Sequence, residues 1–261
     1  MTTQISFIDR YYHSPTGRLV AQMVRGKLQD AIGSFDQSEM IGFGYPYMCL
    51  PNHVSMPVMI PEEMGALAAF DQTGVMSVCA SSATWPFESE SADCIIMTHG
   101  LEFAHDPAAC LTEACRVLKG AGRLVLMVPH RRSLWVRAET SPLGHGRPFS
   151  KSQLAMLVQQ AGFEVMKVER HLHTPPIGLS FGYGVAQILN KIGKQGWGMF
   201  GGVIILEATK LVYAKKPPQN KPIKALSGLF GKPAAKPRPT PKTSARDSSL
   251  RKVFLLRSKQ R

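Results

Sequence analysis

The sequence predicts an α/β protein built on a mostly parallel sheet. Two observations carry this. Short apolar runs alternate with helical patterns from about residue 35 to residue 214. One of these runs, "ADCIIMTH" at 92–99, is continuously apolar in its middle, as a strand covered on both faces is.

Each element has its own reason. Leu19, Met23, Val24, Leu28 and Ile32 recur at helical spacing, and "SPTG" before them supplies Ser14 as a cap and Pro15 in the first turn. "EMIGFG" (39–44) is short, apolar and ends in glycine, so it reads as a strand. "HVSMPVMIP" (53–61) alternates loosely and reads as a second, and "GVMSVCA" (74–80), after the turn "DQTG", as a third. "ADCIIMTH" is the fourth. "DPAACLTEACRVLKGAG" (106–122) is a helix: Asp106 caps it, Pro107 opens it, Leu111, Ala114, Cys115 and Leu118 form its inner stripe, and Gly120 and Gly122 end it. "RLVLMVP" (123–129) is a fifth strand, and "SKSQLAMLVQQAG" (150–162) a helix from Ser150 as cap to Gly162 as stop. "FEVMKVERHL" (163–172) and "GVIILEATKLVYAKK" (202–216) are the last two strands.

The bulk properties narrow the function classes. A chain of 261 residues can hold one sizeable domain and an appendage. No apolar run reaches the roughly 18 residues of a membrane helix, and the first residues lack the basic start and apolar core of a secretory signal. Five cysteines, Cys49, Cys79, Cys94, Cys110 and Cys115, are irregularly spaced with no CxxC pair. They read as reduced thiols of a cytoplasmic protein, with no metal site. From Lys215 onward there are 14 Lys and Arg against one acid, Asp247, so the whole net charge of +13 sits in the last 47 residues. The expected organisation is a helical extension at 1–34, an α/β domain at 35–214 and a basic, Pro- and Lys-rich disordered tail at 215–261. The tail is either a solvated extension or a contact for an anionic membrane surface or a protein, since "ALSGLFGK" and "KVFLLRSK" are apolar islands flanked by cations. Nucleic acid ranks lower, because no aromatic ladder or RNA-binding motif accompanies the charge.

Residues 85–135, "WPFESESADCIIMTHGLEFAHDPAACLTEACRVLKGAGRLVLMVPHRRSLW", resemble the second half of a class I S-adenosylmethionine-dependent methyltransferase of the small-molecule type. The resemblance is carried by Pro86, Phe87, Asp93, His99, Leu101, Glu102, Asp106, Pro107, Glu113, Arg116, Val117, Leu118, Lys119, Gly122, Val128 and Pro129, and extended by "HGRPFSKSQLAMLVQQAGF" at 145–163. It implies a doubly wound, Rossmann-like sheet of seven strands, the last antiparallel and inserted beside the sixth, with helices on both faces. It also implies S-adenosylmethionine as cofactor, held at the carboxyl ends of the strands.

That resemblance implies four cofactor contacts: the loop at Gly42 and Gly44, the acid after the second strand (Glu62), the position before the Trp-Pro-Phe turn (Ser81), and the end of the fourth strand (Thr98 and His99). Two depart from the family pattern. Ser81 stands where an acid faces the adenine, which weakens binding by roughly 1–2 kcal/mol, about tenfold. Tyr45-Pro46-Tyr47 follow Gly44 where small residues are usual, so the loop reads as a remodelled cofactor loop or as a tight turn. His130, Arg132 and Trp135 follow the fifth strand on the rim where the family shapes its acceptor pocket, and Arg132 could hold an anionic group. Arg147 and His145 lie on a Gly-rich loop. His145 is the general-base candidate by residue type, with a structural contact as the alternative. The leading reading is methyl transfer to a small-molecule acceptor. The alternative is an inactive methyltransferase fold kept as an interaction or regulatory module.

Overall fold

The computed structural model describes residues 3–33, 39–48, 56–65, 77–176 and 201–212, all within one compact unit, Met1–Pro218. The basic tail and residues 177–200 lie outside the described residues. Seven strands, β1 (Met40–Gly44), β2 (Val58–Pro61), β3 (Ser77–Ala80), β4 (Ala92–Thr98), β5 (Leu118–Pro129), β6 (Phe163–His171) and β7 (Val203–Lys210), form one sheet in the order β3-β2-β1-β4-β5-β7-β6. The pairs from β3 through β5 are parallel. β7 slots between β5 and β6 and runs antiparallel to both.

Helices cover both faces, as the apolar runs require. α1 (Gln4–His13) and α2 (Pro15–Ile32) bring Ile5, Ile8, Val20, Val24 and Leu28 against Ile96, Val125 and Met127 on one face. α3 (Pro107–Val117) and α4 (Lys151–Gln160) bring Cys110, Leu111, Ala114, Leu154 and Val158 against Ile95, Leu124 and Leu126 on the other. Adjacent residues of β4 and β5 thus point to opposite cores, which is why both strands are continuously apolar over 94–97 and 124–128.

The amino-terminal region holds two helices where the periodicity marked one. Ser14 ends α1 by donating to the Tyr11 carbonyl at 2.6 Å and caps α2 by accepting from the Gly17 amide at 3.1 Å. The corner is so tight that a Cβ on Gly17 would sit 1.9 Å from the Tyr11 carbonyl oxygen, so only glycine fits. α3 also ends earlier than expected. Its buried stripe is Cys110, Leu111, Ala114 and Val117, Cys115 is half-buried, and Leu118 already belongs to β5. The reason is pairing: Leu118 lies opposite Ala92, and the register shifts before Cys94 meets Arg123, so Gly120 and Gly122 fall inside the strand. The cysteines at 79, 94, 110 and 115 are free thiols, and burial pushes that of Cys94 up to about 12.

Two motif clusters prove to be fold clamps. Glu113 accepts the Trp85 amide at 2.9 Å, and Arg116 donates to the Trp85 carbonyl at 3.2 Å and to Glu113 at 2.9 Å. This locks the Trp-Pro-Phe turn onto α3, with Trp85 stacked on Phe43 of β1 at 4.9 Å. Lys119 pairs with Asp93 at 2.6 Å, tying β4 to the start of β5.

Candidate functional site

Parallel strands leave their carboxyl ends on one edge of the sheet, and there β1, β2, β3 and β4 end in Gly44, Pro61, Ala80 and Thr98. Gly44 is in the left-handed region (φ 80°), and a Cβ on it would lie 2.4 Å from the Thr98 carbonyl oxygen. The next residue closes the gap: the Tyr45 amide donates to that oxygen at 2.6 Å, and the Thr98 hydroxyl donates to the Tyr45 carbonyl at 2.5 Å. Gly42 faces its own chain, with Pro46 Cγ and Met56 Cε within 2.7 Å of where a Cβ would be.

Above this edge lies α1. Tyr45 is 3% exposed, its ring stacks on Tyr12 at 5.6 Å and 13°, and its hydroxyl donates to Asp9 at 2.9 Å. Burial, reinforced by the Asp9 carboxylate, pushes the Tyr45 phenol far above its ordinary range. The Tyr12 hydroxyl is 2.6 Å from Nε2 of His99, and Nδ1 of His99 is 3.1 Å from Oε1 of Glu102. His99 and Glu102 are 0% and 1% exposed, and His99 holds φ 50°. A non-glycine residue held there marks a position fixed by its surroundings. Glu102 Oε2 is buried with no hydrogen-bond partner among the described residues.

At the end of β2, Glu62 is exposed, whereas Glu63 turns inward. Ser82, after β3, donates to Oε1 of Glu63, and Oε2 of Glu63 is buried with no partner among the described residues. Ser81 is half-buried and its hydroxyl accepts the Ala83 amide at 3.4 Å, within a local turn.

The residues after β5 divide. His130 is buried, its Nδ1 3.0 Å from the Gly201 carbonyl oxygen, and burial lowers its pKa. Trp135 is buried too and donates its indole N–H to the Thr174 carbonyl at 2.8 Å. Both side chains therefore pack inside rather than line an open rim. Arg132 is exposed. His145 is half-buried, with Nε2 2.8 Å from the Glu139 carbonyl oxygen and its ring 4.9 Å from that of Phe7 on α1. The Arg147 amide donates to the Glu102 carbonyl at 2.8 Å while its side chain is exposed, and Gly146 (φ 75°) packs on Glu102 with no room for a Cβ. The 145–147 loop thus buttresses the His99–Glu102 turn and touches α1.

The structure brings Gly42, Gly44, Thr98 and His99 to one edge, with Glu62 and Ser81 on its neighbouring loops. Sequence reasoning missed Asp9, Tyr12 and Glu63, and saw Glu102 only as part of a motif. A signal existed in "QISFIDRYYH": Ile5, Ile8 and Tyr12 fall at i, i+3 and i+7 of one helix face, all buried. Among the described residues no group of three or more His, Cys, Asp or Glu could hold a metal.

A methyltransferase-domain family model matches residues 51–168. A 93-residue stretch is 31% identical to an uncharacterized protein of Methanocaldococcus jannaschii; it covers 36% of this chain and 44% of that protein, so the chain spans less than half that relative's length. Solved structures agree on the fold. A possible histamine N-methyltransferase of Thermotoga maritima superposes with a TM-score of 0.59 at 24% identity over 77% of this chain and 93% of its own. A methyltransferase of Archaeoglobus fulgidus gives 0.54 at 16% identity over 78% and 98%. The geranyl diphosphate C-methyltransferase of Streptomyces coelicolor gives 0.52 at 14% identity over 78% and 87%. Residues 51–168 accordingly match a methyltransferase domain, and the described residues share the fold of class I S-adenosylmethionine-dependent methyltransferases.

Proposed function

We propose that the protein transfers a methyl group from S-adenosylmethionine to a small-molecule acceptor. The observation that carries this reading, within a methyltransferase domain, is Glu63. Its carboxylate sits at the end of β2 with one oxygen buried and without a partner among the described residues. An unpaired buried carboxylate oxygen costs stability and fits the hydroxyls of a ribose. The acid assigned to the ribose is therefore Glu63 rather than the exposed Glu62. Gly42 and Gly44 shape the loop that would face the cofactor's amino-acid part, and Thr98 and His99 close that side. Ser81 offers the adenine a neutral hydrogen bond only, so affinity is lower than an acid would give.

When bound, the cofactor supplies an electrophilic methyl group, and the protein's part is placement and exclusion of water. α1, with Phe7, Asp9 and Tyr12, covers the edge, so entry of a ligand requires α1 to lift. Arg132 and Arg147 are exposed and place positive charge where an anionic part of the acceptor would approach. His145 serves best as a support of the lid, since its ring nitrogen already meets the Glu139 carbonyl. The basic tail fits an anionic membrane surface or an acidic protein partner. The reading is tested by thermal shift with S-adenosylhomocysteine: Glu63→Gln should lose the shift seen for the wild type, whereas Glu62→Gln should keep it. Equal shifts in both variants would remove Glu63 from the site.

A further inference from the structure

We infer that His99, oriented by Glu102, is the proton acceptor for a phenolic hydroxyl, and that Tyr12 occupies the acceptor's place in the closed form. The inference deepens the methyltransferase reading and rests on it.

Three groups form a continuous chain at the carboxyl end of β4: Tyr12 hydroxyl, His99 imidazole and Glu102 carboxylate, at 2.6 and 3.1 Å. An ionised carboxylate only accepts hydrogen bonds, so Nδ1 of His99 carries a hydrogen toward Glu102. In the neutral ring Nε2 is then an acceptor, and the Tyr12 hydroxyl donates to it. That is the geometry of a general base: a protic group within hydrogen-bond reach, and a third group fixing the tautomer. Glu102 Oε2 is buried with no hydrogen-bond partner among the described residues, a cost that a purely structural contact would not need to bear.

The acceptor class follows from what now fills the slot. Tyr12 reaches it from α1, a helix joined to α2 at Ser14, and not from the sheet. Its ring lies nearly parallel to Tyr45 and its hydroxyl points at His99. A flat aromatic ring stacked on Tyr45 with one hydroxyl directed at Nε2 would replace it atom for atom once α1 lifts. The step then balances. The acceptor's O–H bond breaks and its proton passes to Nε2. The oxygen's electron pair forms the new C–O bond to the sulfonium-bound methyl group as the C–S bond breaks. Sulfur keeps the electrons of the broken C–S bond as a neutral thioether, and the imidazolium facing Glu102 later releases its proton to water.

The test uses 4-nitrophenol, whose phenolate is yellow, with the full chain and no methyl donor, at a pH just below the probe's ionisation in water. Difference spectra should show the bound probe as phenolate in the wild type, and more strongly in Tyr12→Ala, where the slot is open. His99→Asn should bind it as neutral phenol or not at all; asparagine tolerates the left-handed backbone at this position. Glu102→Gln should lower the phenolate fraction, and circular dichroism checks that each variant is folded. With methyl donor present, His99→Asn should cost about 10²-fold or more in kcat on phenols. Equal phenolate signals in the wild type and His99→Asn, or no binding to either the wild type or Tyr12→Ala, would overturn the relay. Titration of the same samples with S-adenosylhomocysteine separates the two failures. Cofactor binding without phenolate formation sinks the relay alone, whereas absence of cofactor binding sinks the methyltransferase reading and the inference with it.

Discussion

Single residues carry the site's departures from the pattern that the methyltransferase resemblance implies. Tyr45 fills the space after Gly44, and the glycine is demanded by the fold before any ligand arrives: its Cβ would meet backbone oxygens of Thr98 and His99, not movable side chains. Gly44→Val is therefore expected to destabilise the chain by at least about 2 kcal/mol, read as a lower denaturant midpoint with the slope unchanged. A midpoint like the wild type's would mean that β1 and β4 can separate at this point. Tyr12→Phe keeps the stacking on Tyr45 but leaves His99 Nε2 without its partner. It should cost about 1–3 kcal/mol unless water enters. His130 adds a pH dependence. Burial lowers its pKa, so the protein favours the neutral ring. The stability this gives is complete above about pH 6.5 and declines as pH falls below that value. Replacing His130 by Gln should flatten the decline in thermal melts taken across that range.

Elements show which sequence signals decide structure. α3 was legible because its start is chemical: Asp106 accepts the Ala108 and Ala109 amides at 2.9 and 3.2 Å, and Pro107 follows. Asp106→Ala should cost about 1 kcal/mol in equilibrium unfolding. Its end was not legible, because pairing of Leu118 with Ala92 overrides the glycine stop. α1 was hidden for a related reason: its cap, Thr3, and its apolar face are ordinary, and only the packing of Tyr12 and Asp9 against the edge gives it meaning. Glu113 and Asp93 illustrate motif residues whose job is to hold elements together. The Arg116 guanidinium holds the Glu113 carboxyl below its ordinary value, and the Lys119 ammonium does the same for Asp93. Stability from such depressed carboxyls is present above about pH 4 and is lost as pH falls through the lowered native values. Glu113→Gln should thus narrow the difference between melting temperatures at neutral and acidic pH. An unchanged difference would show that the clamp contributes nothing.

At the scale of the molecule, strand alternation and the Trp85–Trp135 block made the sheet legible, including the antiparallel β7 implied by the family resemblance. The closure of the carboxyl edge was not, because it depends on contacts between residues far apart in the chain, such as Tyr12 with His99 and Glu63 with Ser82. No helix among the described residues is long and apolar enough to cross a membrane, yet all net positive charge lies beyond residue 214. Truncation after Ala214 should leave cooperative unfolding intact and abolish co-sedimentation with anionic vesicles at low salt, an association that high salt should also weaken in the full chain. On the proposed closure by α1, the apparent cofactor affinity is expected to be the open form's affinity multiplied by the fraction of molecules that are open. The central claim is that this edge binds S-adenosylmethionine. Its most direct test is calorimetric titration of the full chain with S-adenosylhomocysteine. The expected result is a single-site heat with a dissociation constant roughly in the tens to hundreds of micromolar. No heat and no thermal shift at millimolar ligand would contradict it, leaving a methyltransferase fold whose cofactor edge is filled by its own tyrosines.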